Sequence, residues 1–428
     1  MNWLLAISFA ILTAVNYIFS GKKILFPSVV VSGMFTLSAL FAAINSDWRI
    51  QIQVETYFFL LISILIFSMG CLIGRTKIIV VGHGRRHKEQ YLDVTQIKMP
   101  TSIALIVAMI CLVVTLMYFR HQLSLSFAYG NTSGLSGMIG VLRKATVIDA
   151  DVARLGMFLN FGISFSRAMG IISIYIITTN IIEKQKIKIF TLIPVICLLV
   201  NSIMATGRGA LIMVVTTVIY DIYAINYLKT NRNINGKIIK YGVILVVVFI
   251  IAFRLLGTLT GKSEVLNFWD TFSIYIGSPI VCIDHIIKEG FVIAAEFGHR
   301  TFKGIYNMLS AFGFNVGFVS NHEEMFRWST FSSNIYTALY PNLMDFGVLG
   351  TLIMQFFLGL FNGTVWNKYT NSSVVSNFLL ITYGRFFGSA LVYYSIAERF
   401  CSNYLALNAF AEMFFYFVII KYFIRNIS

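Results

Sequence analysis

The sequence predicts an all-α polytopic membrane protein with about eleven transmembrane helices, and three observations lead there. Hydrophobic residues make up 57% of the 428 and charged residues only 12%, against roughly 25% charged in a soluble domain. The apolar residues come in blocks of about 20, the length that crosses a hydrocarbon core of about 30 Å. Lysines and arginines gather in short loops between the blocks, as the positive-inside rule requires. The excess of 15 positive charges is therefore read as topology, and no nucleic-acid partner is implied.

The elements follow in order. The block at 3–20 has no basic residue ahead of its apolar run and Lys22 and Lys23 just after it. That is the reverse of a cleavable signal peptide, so the block is expected to be a retained first helix. Further blocks lie at 26–44, 56–74 and 101–119. After an intervening segment, 120–156, come blocks at 157–179, 189–206, 209–227 and 239–256. A long segment, 257–342, precedes the last three, at 343–365, 374–394 and 402–423. The division expected is 1–256, carrying eight helices and the outer loop 120–156; 257–342, a large periplasmic loop; and 343–428, with helices nine to eleven.

Alternate loops carry Lys22 and Lys23; Arg75, Lys77, Arg85, Arg86, Lys88 and Lys98; Lys184, Lys186 and Lys188; Lys229, Arg232, Lys237 and Lys240; Lys368; and, in the tail, Lys421 and Arg425. Those loops are assigned to the cytoplasm. The N-terminus is then periplasmic and the C-terminus cytoplasmic. The segment 257–342 has five basic and seven acidic residues and three of the six histidines, His285, His299 and His322. Its apolar residues keep helical spacing in "FSIYIGSPIVCIDHIIKEG" and "HRTFKGIYNMLSAFGF". Amphipathic or re-entrant helices lying against the bundle are expected there. No internal repeat and no paired broken helices are visible, which counts against a secondary transporter. The five cysteines are scattered without CxxC, so neither a metal site nor a disulfide framework is indicated.

Charged groups in or beside spans are the main candidates for chemistry, because a guanidinium in the bilayer costs several kcal/mol unless it is paired or faces water. Arg208 stands between two glycines in the turn joining spans six and seven; Arg254 ends span eight on the same face; Arg167 and Arg385 lie inside spans five and ten. A guanidinium presents its donors in a fork that fits phosphate oxygens. The group reads as a site for an anionic lipid-linked substrate, with interfacial snorkelling or pairing to backbone carbonyls as the plainer account. Asp149 and Asp151 form an Asp-x-Asp that would suit a divalent metal, although Asp151 with Arg154 is also an ordinary i,i+3 ion pair. No metal is expected. Asp284, His285, Glu296 and His299 are candidate acid or base groups, and Arg300 adjoins His299. No P-loop, G-x-S-x-G or H-E-x-x-H occurs.

The stretch Ser332 to Trp366, "SSNIYTALYPNLMDFGVLGTLIMQFFLGLFNGTVW", resembles the segment leading into a late span of bacterial polysaccharide repeat-unit polymerases, the Wzy family of O-antigen and capsule assembly. The residues concerned are Asn334, Tyr336, Thr337, Asp345, Phe346, Gly347, Gly350 and Gly359. "YIGSP" at Tyr275 to Pro279 and "TGRGA" at Thr206 to Ala210 are also similar to family patterns. The resemblance implies a GT-C-like membrane fold and a metal-independent glycosyltransferase without cofactor. Its substrates would be oligosaccharides on undecaprenyl diphosphate, and a flippase and a chain-length regulator would be its partners beside membrane lipid. Arg208 and Arg254 fit the departing diphosphate, and a base would come from Asp284, His285, Glu296 or His299. Arg167, Arg300, Arg385, Tyr275, Tyr336 and Asn334 are expected at the substrate, with Tyr306 and Trp328 as further sugar-stacking aromatics. Asp345 is expected to cap span nine. An O-antigen ligase, and from other classes a lipid-linked glycan flippase or a scaffold, are the competing readings.

Overall fold

The computed structural model describes residues 1–76, 97–131, 137–142, 155–205, 209–230, 235–259, 267–317, 319, 323, 325–328, 331–371, 375–423 and 425–426. Arg208, Asp149, Asp151, Arg154 and His322 lie outside them. The helices are α1 (Asn2–Phe19), α2 (Pro27–Ile44), α3 (Val54–Arg75), α4 (Thr101–Ala128), α5 (Met157–Ile182), α6 (Ile189–Met204), α7 (Gly209–Thr230) and α8 (Asn235–Leu259). They continue with α9 (Phe268–Glu289), α10 (Lys303–Ala311), α11 (Leu339–Tyr369), α12 (Asn377–Tyr383), α13 (Ser389–Tyr393) and α14 (Leu407–Tyr422). Among the described residues seven of these, α1 to α5, α7 and α11, are long and apolar enough to cross a membrane. The protein is thus a mostly helical, polytopic membrane protein.

By packing, the chain forms two compact units. The first comprises Met1–Lys88, Phe268–Asn371 and Ala390–Ala406; the second comprises Glu89–Asn267, Ser372–Ser389 and Leu407–Ser428. The sequence division at 256 and 342 follows sides of the membrane, whereas this one follows contacts.

In the first unit the closest helix pair is α3 with α11. A Cβ added to Gly70, Gly74, Gly359 or Gly363 would meet a carbonyl oxygen of the facing helix at 2.1–2.3 Å. Small residues four apart on both helices let the backbones touch, the usual driver of association where lipid removes the hydrophobic gain. Asn16 of α1 adds a polar node, its Nδ2 donating to Ser32 Oγ at 3.1 Å and Ser68 Oγ at 3.0 Å. The segment read as an outer loop does hold a helix against the bundle: α9 lies on α2, with Ser38 Oγ donating to Ile276 O at 2.6 Å. Gly277 lets it approach, since a Cβ there would sit 3.0 Å from Ala42 N. Two short ribbons accompany the helices. Phe326–Trp328 and Phe331–Ser333 pair antiparallel as β2 and β3, and Ile97–Lys98 pairs with Arg425–Asn426 as β1 with β4. In the β2–β3 ribbon Trp328 and Phe331 pack around Trp48, so its alternation is that of a half-buried strand.

In the second unit α5 packs with α4, α6, α7 and α14, and Asn201 of α6 donates to Ser166 Oγ at 3.2 Å. The span expected at 374–394 is not one continuous α-helix. Gly384–Gly388 forms a π turn between α12 and α13. Gly388 fits against the ring of Tyr220, where a Cβ would lie at 2.4 Å, and Gly384 against the backbone of Thr217. Within each unit, contacts join segments that the loop assignment places on one side: Asn2 with Ile50 and Ile52, Gln53 with Asp284, Arg75 with Phe19, Lys188 with Thr101 and Lys229 with Glu183.

Candidate active site

The richest polar assembly of the first unit lies between the turn before α10 and the start of α11. Asp345 organises it. Its carboxylate accepts the backbone N–H of Arg300 at 3.0 Å and of Thr301 at 2.6 Å, and the Thr301 hydroxyl donates to Asn342 Oδ1 at 3.1 Å. Asp345 stands two residues before the break in α11 at Gly347, but its carboxylate does not cap the helix below; it docks the neighbouring turn through the Arg300 and Thr301 N–H groups. Arg300 Nη1 then donates to Tyr340 OH at 2.6 Å and Glu323 Oε2 at 3.3 Å, and its guanidinium lies over the Tyr340 ring. Lys303 Nζ is 3.8 Å from Glu323; burial lowers its pKa, with Glu323 and Glu398 opposing. Glu398 accepts the N–H groups of Cys401 and Ser402 at 2.8 and 2.7 Å, and burial raises its pKa. Arg300, Lys303 and Arg399 are thus offset by Asp345, Glu323 and Glu398, a charge-balanced frame.

His299 projects from this frame. Its Nε2 is 3.1 Å from Glu296 Oε2 without the alignment of a hydrogen bond, and its ring meets Tyr306 edge-on at 5.1 Å. The Glu296 side chain is 59% exposed and that of His299 27%, with Nε2 itself covered on the side of the carboxylate. The other two base candidates sit differently. Asp284 is buried and accepts the Gln53 N–H at 2.9 Å, clamping α9 to the start of α3. His285 lies flat on Phe326 at 3.9 Å, with Glu289 3.9 Å from Nδ1. Tyr336 is buried and stacked on Tyr340 at 4.2 Å, Trp328 is buried beside Trp48, and Tyr275 and Asn334 are half-buried. The Tyr336 and Trp328 rings serve packing.

A structural role for Asp284 has a direct check. Burial raises its carboxyl above the usual range, so the folded chain keeps a proton that the unfolded chain loses near pH 4. Its contribution is therefore fully present below that pH and is lost as pH rises through the folded value. Asp284→Asn, which still accepts from Gln53, should remove this slope and keep activity near normal. Asp284→Ala should cost about 1–3 kcal/mol by orphaning the N–H. Thermal unfolding across acidic to neutral pH, beside an activity assay, distinguishes this from a catalytic role, in which asparagine would be inactive.

In the second unit Arg167 and Arg385 converge on Glu412 of α14, a residue sequence reading passed over. Arg385 makes a two-point contact, Nε to Oε1 at 2.9 Å and Nη2 to Oε2 at 3.0 Å. Arg167 Nη1 reaches Oε2 at 3.5 Å, and Tyr416 OH donates to Oε1 at 3.0 Å. The carboxylate is fully enclosed and two guanidiniums face it. A lone acid in the apolar run "LNAFAEMFFYF" was the available signal, since an intramembrane carboxylate demands a cation. Arg254 is exposed on α8. Among the described residues no three His, Cys, Asp or Glu side chains are grouped to hold a metal.

The chain is 23% identical over 393 residues to a protein of Escherichia coli (strain K12) named "Putative O-antigen polymerase", covering 90% of this chain and 91% of that protein. The likeness runs nearly end to end. No protein-family model and no solved structure matches the chain.

Proposed function

We propose that the protein is a metal-independent repeat-unit polymerase of the inner membrane, joining oligosaccharides carried on undecaprenyl diphosphate into O-antigen or capsular polysaccharide at the periplasmic face. The observation that carries the proposal is the end-to-end likeness to the Escherichia coli protein of that name. In the reaction, a hydroxyl oxygen of the lipid-linked acceptor unit attacks the anomeric carbon of the growing chain. The bond from that carbon to the phosphate oxygen breaks, and undecaprenyl diphosphate leaves with the electron pair. The hydroxyl proton passes to His299, and Glu296 stabilises the imidazolium. Mutual contact and the rigid frame behind them favour this pair over Asp284, which is buried on the Gln53 N–H, and His285, which is stacked on Phe326. The leaving group already carries about two negative charges, so fixed guanidinium donors assist it without a general acid, the role the sequence reading gives to Arg208 and Arg254. The N-terminus is periplasmic and the C-terminus cytoplasmic in this reading.

Reconstitution tests it. In proteoliposomes, lipid-linked repeat units should grow into a ladder that persists in EDTA. His299→Gln should slow growth about 100-fold. Arg254→Ala should cost a similar factor, with lysine a partial rescue because it lacks the fork. If wild-type protein gives no ladder yet transfers chains to a lipid A core acceptor, it is a ligase and the proposal fails.

A further inference from the structure

The segment Phe291–Phe297, between α9 and the turn at Gly298, has a composition at odds with a water-exposed loop. Val292 is 85% exposed, Ile293 52% and Phe297 76%. The segment is not helical, so amphipathic periodicity does not account for it. It is fastened to the top of α11. Ala294 N–H donates to Met344 O at 2.8 Å, Phe297 meets Phe346 ring to ring at 5.2 Å, and a Cβ on Gly347 would lie 3.1 Å from Ile293 Cδ1.

The reason for this fastening is in the helix. Gly347 has φ 67 and ψ −170 inside α11, a conformation that suits only glycine. The kink interrupts the intrahelical ladder where Met344 would find its partner, and the strap's Ala294 N–H takes that carbonyl. Below the kink, Leu349, Ile353, Phe357 and Phe361 are each at least half exposed, one residue per helical turn. The opposite face of α11 buries Thr351, Gln355, Gly359, Asn362 and Gly363. A stripe of that kind on a spanning helix is its lipid face. Ile293 and Phe297 continue the stripe upward through their contacts with Gly347 and Phe346, and the exposed Val292 adjoins them in the strap.

We infer that the strap Phe291–Phe297 is seated in the outer leaflet of the bilayer as an interfacial anchor, its apolar side chains about 5–10 Å into the headgroup and acyl boundary. The occupant of this apolar surface is lipid, because the surface is continuous with the lipid face of α11. The anchor ends at Glu296 and the Gly298 turn, so it sets His299 and Arg300 beside the phosphate layer, where a lipid-carried substrate presents its own phosphates. The inference rests on α11 spanning the membrane and is independent of the reaction proposed above.

Nitroxide labels on Val292→Cys and Phe297→Cys in full-length protein reconstituted into nanodiscs test it. All five native cysteines are buried, and unlabelled-site controls come from the parent chain. Leu349→Cys serves as the lipid reference and Ser332→Cys, exposed on the β3 strand, as the aqueous one. Labels at 292 and 297 should relax with dissolved oxygen as Leu349→Cys does and resist a water-soluble nickel chelate. Nickel accessibility like that of Ser332→Cys would overturn the inference. Shielding from both reagents would also overturn it, since protein would then cover the strap.

Discussion

Valine at Gly359 or Gly363 is expected to abolish accumulation of the folded protein in the membrane, and alanine at either position to reduce it severely. The atoms a new Cβ would meet are the main-chain carbonyls of Phe67 and Cys71, at 2.1 Å. A side chain in the way could rotate; a helix backbone cannot. The helices must separate, and every contact along the α3–α11 pair loosens with them. Overpacking in a core costs about 1–3 kcal/mol when side chains absorb it, so about 3 kcal/mol or more per alanine is expected here. Gly242→Ala on α8 is the control, because nothing lies within 4 Å of its added Cβ and alanine favours helix. Membrane levels and thermal unfolding of the three variants settle the matter; normal stability of Gly359→Ala and Gly363→Ala would mean the helices do not pack this closely.

Glu412→Gln is expected to be nearly as damaging, for an electrostatic reason. The substitution keeps the shape and removes the negative charge that faces Arg167 and Arg385. Breaking one side of a buried ion pair costs about 3–5 kcal/mol because the partner is left uncompensated in low dielectric. Arg385→Met added to Glu412→Gln should recover part of the loss, a non-additivity that identifies coupling. Unfolding temperatures of the single and double variants give the answer. Additive losses would show that the arginines have other counterions.

Much of the architecture was legible in the residues, since twenty apolar side chains in a row permit little else in lipid. What escaped had specific causes. The π turn at Gly384–Gly388 depends on the Tyr220 ring, some 160 residues away in sequence, and no local pattern encodes it. Asp345 looked like a cap because its neighbours are glycine and an apolar run; its real partners, the N–H groups of Arg300 and Thr301, belong to another segment. His299 and Glu296 were visible as candidates, but what sets them apart, the burial of Asp284 and the Phe326 ring on His285, is not reported by spacing alone. Arg167 and Arg385 were singled out for their cost in the bilayer, and Glu412 answers that same cost from a helix where only one sign of charge had been sought.

The pairing of α3 with α11 bears on how the chain is made. Gly74 leaves the ribosome about 285 residues before Gly359, and at 5–20 residues per second that is a wait on the order of 15 to 60 s. During it α1, α2 and α3 are already in the bilayer, while the helices of the second unit are still being threaded in behind them. The glycine face of α3 stands open to lipid, or to any passing small-residue helix, until its mate arrives. Insertion of α1 to α3 thus precedes assembly by most of the synthesis time. A truncated chain ending before residue 339 would leave that face without its native mate, a ready substrate for membrane quality-control proteases.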